Sequence, residues 1–287
     1  KFPRRMSSSS FSMTLTPVSE FIQSRKSRHT KETMTKTVLV TGAGSGFGKG
    51  ASIALAERGH NVIATTETEE QATELAAAHP ELQVEKIDIT TDDVDKVAQW
   101  DIDVLINNAA MGQTGPMADV PMERIRAIFE VNVFGTLSIT QKVLAGMIAR
   151  GDGRVIVMSS IGGLHSFPAF GPYNMTKHAL EGMAKAMRIE LEPQGVDVTL
   201  INPGPHDTGF NDSMAESMWE WFGEDSLQSP NMEMFTMMRS AATTDQMDPQ
   251  AVVDKLVELV EAETTKEHNI VPEDGVEELN EATGLDH

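Results

Sequence analysis

The chain has no cysteine among its 287 residues. That excludes disulfides, thiolate metal sites and a cysteine nucleophile. Aromatic residues are scarce, 5% overall, and tyrosine occurs once, as Tyr173, against 11 phenylalanines. A phenylalanine would serve equally well for packing, so the single phenol points to a use for its proton. No apolar run approaches the ~20 residues of a membrane-spanning helix, which argues against a transmembrane segment. Positive charge is also short. Lys and Arg number 23 against 43 Asp and Glu, for a net charge of −20. An acidic body repels nucleic acid and anionic membranes, so neither is an expected partner. The eight histidines, among them His165 and His206, show no metal-ligand spacing such as H-E-x-x-H, and no metal is expected.

What is present describes a globular chain, 40% hydrophobic and 23% charged, of a length that fits one large α/β domain or two small ones. Its basic residues crowd at one end. Residues 1–36 hold eight Lys or Arg and two Glu, so the remainder carries −26. That serine-rich, acid-poor stretch has the composition of an organelle transit peptide. The alternative is upstream sequence ahead of a start at Met34, because "MTKTVLVTGAG" opens a strand almost at once. Residues 1–36 are therefore set apart from the domain assigned to 37–287. Residence is expected in the cytoplasm, or in an organelle if the leader is genuine.

From Thr37 strands alternate with helices. The strands are read at 37–42, 61–66, 82–89, 102–108, 154–160 and 196–204, each short, apolar and β-branched. Helices fall near 47–58, 69–79, 122–149, 173–192 and 249–262. That alternation predicts an α/β fold, a doubly wound parallel sheet with helices on both faces and its ligand at the carboxyl ends of the strands. Residues 205–248 break the rhythm with Met, Trp and Phe set among Asp and Ser. A helical lid over the strand ends is the functional reading, and an extra helix pair packed on the core is the bland one. "PEDGVEELNEATGLDH" reads as a solvated acidic end.

Three motifs carry chemistry. In "VTGAGSGFGKG" (40–50), glycines Gly42, Gly44, Gly46 and Gly48 let the backbone approach a pyrophosphate, and the helix N-terminus that follows supplies free N–H groups. Such a turn on its own is often only a tight connection. "LINNAA" (105–110) closes the fourth strand with paired asparagines, suited either to lining a cofactor or to making a turn. In "GPYNMTKHAL", a helix puts Tyr173 and Lys177 on one face at i and i+4. A free phenol has a pKa of about 10, and a nearby ammonium stabilises phenolate and lowers it. Ser160, at a strand end thirteen residues upstream, places a hydroxyl where a substrate oxygen could be held.

Together these features resemble the single-domain branch of the short-chain dehydrogenase/reductase family over nearly all of residues 37–272. The matching elements are TGAGSGFG, Asp88 in "KIDIT", NNAA, Asn132 in "FEVNVFG", Ser160, Tyr173-x-x-x-Lys177 and "NPGPHDTGF". The resemblance implies a Rossmann fold carrying a nicotinamide cofactor. It implies Tyr173 as general acid/base, Ser160 as the group orienting the substrate oxygen, and Lys177 as the residue that lowers the tyrosine pKa and holds the nicotinamide ribose. Asn132 would anchor a water relaying protons from Lys177. Gly42, Gly44, Ser45, Gly46, Phe47 and Gly48 would hold the pyrophosphate, Asp88 and Ile89 the adenine, and Asn108 the ribose region. Pro203, Gly204 and Thr208 would receive the carboxamide.

Two positions depart from the family pattern. Ala110 stands where glycine is commoner. At the second strand end, Thr66 replaces the Asp of NAD-preferring members, and Glu67 the Arg of NADP-preferring ones. Glu67, Glu69 and Glu70 should repel a 2′-phosphate, so NAD is the expected cofactor, with NADP left open by Lys49. The expected reaction moves hydride between the nicotinamide and a secondary alcohol or ketone, with an apolar small-molecule substrate suggested by the lid. The alternative is a non-catalytic cofactor-binding sensor or scaffold. The resemblance also implies a homodimer or homotetramer.

Overall fold

The structure is a computed structural model that describes residues 34–273. The basic leader up to residue 33 and the acidic tail from Asp274 lie outside the described residues.

Among the described residues seven parallel strands form one sheet: β1 (Thr37–Val40), β2 (Asn61–Thr66), β3 (Gln83–Lys86), β4 (Val104–Asn107), β5 (Gly153–Met158), β6 (Val196–Pro203) and β7 (His268–Val271), in the order β3-β2-β1-β4-β5-β6-β7. The helices between them are α1 (Gly46–Glu57), α2 (Glu69–Ala78), α3 (Met122–Phe129), α4 (Thr136–Arg150), α5 (Gly171–Leu191), α6 (Phe210–Glu216), α7 (Met232–Thr243) and α8 (Gln250–Glu261). The sheet is covered on both faces, which is why its central strands read as continuous apolar runs.

Period-two alternation divides the core. Val38 and Val40 point to one face and pack with Ala51, Leu55 and Leu256 from α1 and α8. Leu39 points to the other, with Ile139, Val143 and Leu180 from α4 and α5. The register follows, Val38 pairing with Val62 on one side and with Val104 on the other. Each fully buried Leu or Val contributes about 1.5–3 kcal/mol.

The strands end earlier than their apolar runs suggest. β1 stops at Val40 because Thr41 and Gly42 already turn. β3 stops at Lys86, leaving Ile87 and Asp88 outside the ladder. β7 was not legible: "HNIV" is short and half polar, yet it pairs with β6 from Leu200↔His268 to Pro203↔Val271. The helix read at 122–149 is interrupted by a π-helical turn at Glu130–Gly135, which contains Asn132. Such bulges recur at functional sites. This composite segment, Met122–Arg150, corrects the reading of apolar runs, since by length and composition it could cross a membrane. Half of its apolar window is buried inside the fold, as for a helix laid across a sheet.

Residues 205–248 fold into α6, α7 and connecting turns. Met218, Phe222 and Phe235 form a small apolar cluster with Trp219 and Trp221 around them. Thr114 Oγ1 donates to the Met214 carbonyl (2.8 Å), and the Thr114 N–H donates to Ser217 Oγ (2.9 Å). The segment is thereby fastened to the loop after β4.

Candidate active site

The strand order reverses direction between β1 and β4, and a cavity of about 1010 Å³ opens there at the carboxyl ends of the strands. Its floor is the glycine turn. Gly42 has φ +65°, and a Cβ on it would lie 2.7 Å from Ala109 Cα. A Cβ on Gly48 would lie 2.4 Å from Asn108 Nδ2 and 2.6 Å from the Gly42 carbonyl. The close approach is fixed by Asn108, whose Nδ2 donates to the carbonyls of Thr41 (2.9 Å) and Gly42 (3.0 Å). Thr41 Oγ1 in turn accepts from the N–H groups of Asn108 and Ala109, both at 3.0 Å. Ser45 begins α1 without a side-chain cap, so the first-turn N–H groups face the cavity free. A bare backbone cradle at a helix N-terminus fits a pyrophosphate.

At one end of the cradle lie Asp88 and Ile89. Asp88 Oδ1 accepts from the Thr90 N–H (2.9 Å) and the Thr90 hydroxyl (2.7 Å), which fixes the carboxylate. Glu67 and Gln71 line the wall beside it. Thr66 does not: it is buried, and its hydroxyl donates to the Thr68 carbonyl (3.1 Å). Gln71 was not singled out from sequence. It belongs to the capping box of α2, its N–H donating to Thr68 Oγ1 and its Oε1 accepting from the Thr68 N–H.

At the other end β5, α5 and β6 converge. Ser160 follows β5 in extended conformation and its Oγ accepts from the Gly162 N–H (3.0 Å). Pro172 in the first turn pre-sets α5, and Tyr173 and Lys177 sit one turn apart on its buried face. Lys177 Nζ donates to the Met158 carbonyl (2.7 Å) and lies 5.5 Å from the centre of the Tyr173 ring. Pro203, Gly204 and Thr208 line the wall from β6, and Gly44, Gly46 and Phe47 face them.

The cavity thus gathers Gly42, Gly44, Ser45, Gly46, Phe47, Asp88, Ile89, Asn108, Ser160, Tyr173, Lys177, Pro203, Gly204 and Thr208. Three expected residues stand behind it. Gly48 supplies the close contact with Asn108, and Thr66 caps its own strand. Asn132 is fully buried, its Oδ1 accepting from the Met111 N–H (2.8 Å) and its Nδ2 donating to the Met111 carbonyl (3.0 Å) and Thr176 Oγ1 (3.1 Å). Its side chain holds the loop after β4 to α5.

Burial dominates the electrostatics of the pair. Burial pushes the Tyr173 phenol up to about 12, against the hydrogen bond with Ser160, which pulls it down. Burial pushes the Lys177 ammonium down to about 8, and the Glu181 carboxylate pulls it back up. Lys177 is turned toward the Met158 carbonyl, and burial is the largest influence on the phenol.

The apolar residues of 205–248 divide between the cavity and a cluster behind it. Trp219 and Trp221 pack on Phe222 rather than facing the cavity. The apolar half of the cavity is made by Met111, Phe167, Phe170, Phe210, Met214 and Met238.

A glycine cradle and a helix N-terminus at the switch point of a parallel sheet, facing a buried phenol and ammonium, define a dinucleotide-dependent oxidoreductase. Residues 36–219 match the family model of short chain dehydrogenases. The oxidoreductase YusZ of Bacillus subtilis (strain 168) is 38% identical over 247 residues, 81% of this chain and 86% of its own. Human 17-beta-hydroxysteroid dehydrogenase type 1 is 33% identical over 195 residues, 63% of this chain and 60% of its own. The crystal structure of a short-chain dehydrogenase from Streptomyces avermitilis superposes with a TM-score of 0.75 at 30% identity, covering 88% of this chain and 93% of that one. The chain belongs to the short-chain dehydrogenase/reductase family and is an NAD(P)-dependent oxidoreductase.

Proposed function

We propose that the protein interconverts a secondary alcohol and a ketone on an apolar substrate, with Tyr173 transferring the proton and NAD as the preferred cofactor. The observation that carries this reading is that Ser160 and Tyr173 line the cavity together where its apolar half joins the glycine cradle. The bound nicotinamide supplies or accepts the hydride. Ser160 holds the substrate oxygen, and Tyr173 gives its proton to that oxygen in reduction or takes it in oxidation. A phenol held protonated by burial is ready to donate, so reduction runs at neutral pH and oxidation gains as pH rises. Lys177 keeps a positive charge beside the phenol, and Asn132 acts from behind by fixing Met111 against α5.

The cavity wall supports an uncharged, largely apolar substrate, since Met111, Phe170, Phe210 and Met214 pack around Tyr173 and line it. The relative that acts on 17-beta-hydroxysteroids is consistent with that. Residues 205–248 would serve as the lid. Cofactor preference rests on Glu67. It lines the adenine end, and among the described residues that line the cavity Lys177, at the far end, is the sole Lys or Arg. Lys49 does not line it, so a 2′-phosphate meets a carboxylate without a compensating cation. A homodimer or homotetramer remains part of the same reading.

The test is turnover of a mixed panel of apolar secondary alcohols and ketones by wild type and Tyr173→Phe. A loss of about 10²–10⁴-fold is expected with NAD-induced thermal stabilisation unchanged. Turnover that survives the substitution rejects Tyr173 as the proton carrier.

A further inference from the structure

Behind the cavity, on the same face of α5 as Lys177 and one turn further on, lies Glu181, 5% exposed. Its carboxylate is surrounded by donors. Oε1 accepts from Ser159 Oγ (2.6 Å) and Asn202 Nδ2 (2.7 Å), and Oε2 accepts from His268 Nε2 (2.8 Å). Those donors sit on three different strand ends. Ser159 precedes Ser160, and Asn202 precedes Pro203 and Gly204. Asn202 Nδ2 also donates to the Ser160 carbonyl (3.2 Å). A buried carboxylate is costly unless its oxygens are satisfied, and here three donors satisfy them.

We propose that Glu181 is a positioning residue for the reaction assigned above: it sets Ser160 through Ser159 and Asn202, and keeps Lys177 charged. The inference rests on that assignment for its consequence but not for its geometry. The charged and titratable groups facing Glu181 are His268 from β7, Lys177 on its own helix, and Lys185 at 3.9 Å, with Glu267 behind His268 at 3.6 Å. Burial pushes the Glu181 carboxyl up, but hydrogen bonds from His268, Ser159 and Asn202 hold it below the ordinary carboxylate range. It is therefore ionised at neutral pH. Its charge opposes the desolvation that depresses Lys177. A carboxamide of the same shape keeps an acceptor for the strand donors but not the charge that Lys177 feels.

Two readouts separate the roles. The first is the pH titration of Lys177 by NMR in full-length protein carrying carbon-13-labelled lysine, assigned by comparison with Lys177→Arg. It needs no turnover, so it stands even if the proposed substrate class is wrong. Glu181→Gln is expected to move the Lys177 titration to lower pH by about one unit. Glu181→Asp, which keeps the charge on a shorter stem, should leave it near wild type. The second readout is kcat on any substrate that wild type turns over. Both variants should lose about tenfold or more through the displaced Ser160, with KM for NAD unchanged. A Glu181→Gln titration superimposable on wild type overturns the proposal. So does failure of both variants to fold, because the carboxylate would then be a requirement of the sheet rather than a setter of the site. Absence of turnover in wild type would reject the proposed reaction and leave the titration to decide the role of Glu181.

Discussion

The two ends of the cavity are built from different materials. The cofactor end is main chain: Gly42 and Gly46 with positive φ, an uncapped helix start, and Asn108 tying two carbonyls. The substrate end is side chain, with Met111, Phe170, Phe210, Met214 and Met238 coming from four separate segments. The main-chain cradle tolerates almost no change at Gly42 and Gly48, where an added Cβ meets backbone. A wall of Met and Phe can be repacked atom by atom, since Met in particular fills irregular gaps. The first end should break sharply and the second gradually.

The largest effect is expected for Gly42→Ala. Its φ of +65° strains any side chain, and the new Cβ would stand 2.7 Å from Ala109 Cα. Strain of ~1–3 kcal/mol adds to overpacking of similar size. Thermal stabilisation by NAD should vanish, and the variant should melt well below wild type. An NAD response that persists would show that the cradle bends, and the contrast between the ends would fail.

Where the two ends meet, at Lys177, the prediction concerns pH. In the unfolded chain lysine titrates near 10.5, and in the fold near 8. Between those values the unfolded chain binds the proton and the folded one does not, so stability rises with pH across the window. Below it the full penalty of a buried ammonium remains. Lys177→Met removes that penalty and should raise stability near pH 7 by about 2–3 kcal/mol, even without the bond to the Met158 carbonyl. The gain should fade as pH rises from 8 to 10. Tyr173, raised from 10 to about 12, acts with the opposite sign, but only above pH 10. Chemical denaturation of both proteins at pH 7, 8.5 and 10 reads the trend, and a difference independent of pH contradicts the placement of Lys177.

The same contrast explains what the sequence could disclose. Gly42, Gly46, Ser160, Tyr173 and Lys177 were legible because turn geometry and helical spacing are local, so the required residue types lie close together. Thr66 misled because a strand end has two faces: the chain turns there, Thr66 faces inward, and Glu67 takes the wall. Asn132 could be located but not aimed, because its orientation depends on the π-helical turn and on Met111, 21 residues away. Glu181 carried one local signal, its place a turn beyond Lys177. Its partners at 159, 202 and 268 are brought together only by the sheet. The Met, Trp and Phe of 205–248 suggest an apolar substrate by composition, yet both tryptophans pack edge-on against Phe222. Composition reports how much apolar surface exists, not which way it points.

At the substrate end, Met238→Ala tests gradual behaviour. Met238 is half-buried between the cavity and the cluster around Phe235. Removing its thioether should lower kcat/KM for an apolar substrate by about tenfold, the size expected for one or two lost methylene contacts. Thermal stabilisation by NAD should not change. A loss confined to kcat with KM intact would instead place Met238 in closure of the lid.

The smallest effect separates fastening from binding. The half-buried Asp119 carboxylate accepts from the N–H groups of Leu227 (2.9 Å) and Gln228 (2.8 Å), holding the far side of the 205–248 segment. Two charge-assisted bonds near the surface contribute about 1 kcal/mol net. Asp119→Ala should therefore lower the melting temperature by about 2–4 °C and expose the stretch around Leu227 to proteolysis sooner. The NAD response should match wild type, because nothing in the cradle touches this latch. If Asp119→Ala weakened NAD binding as strongly as substrate turnover, the two ends would share one conformational equilibrium. The main-chain cradle would then depend on the 205–248 segment, and the order of effects from Gly42 to Asp119 would lose its basis.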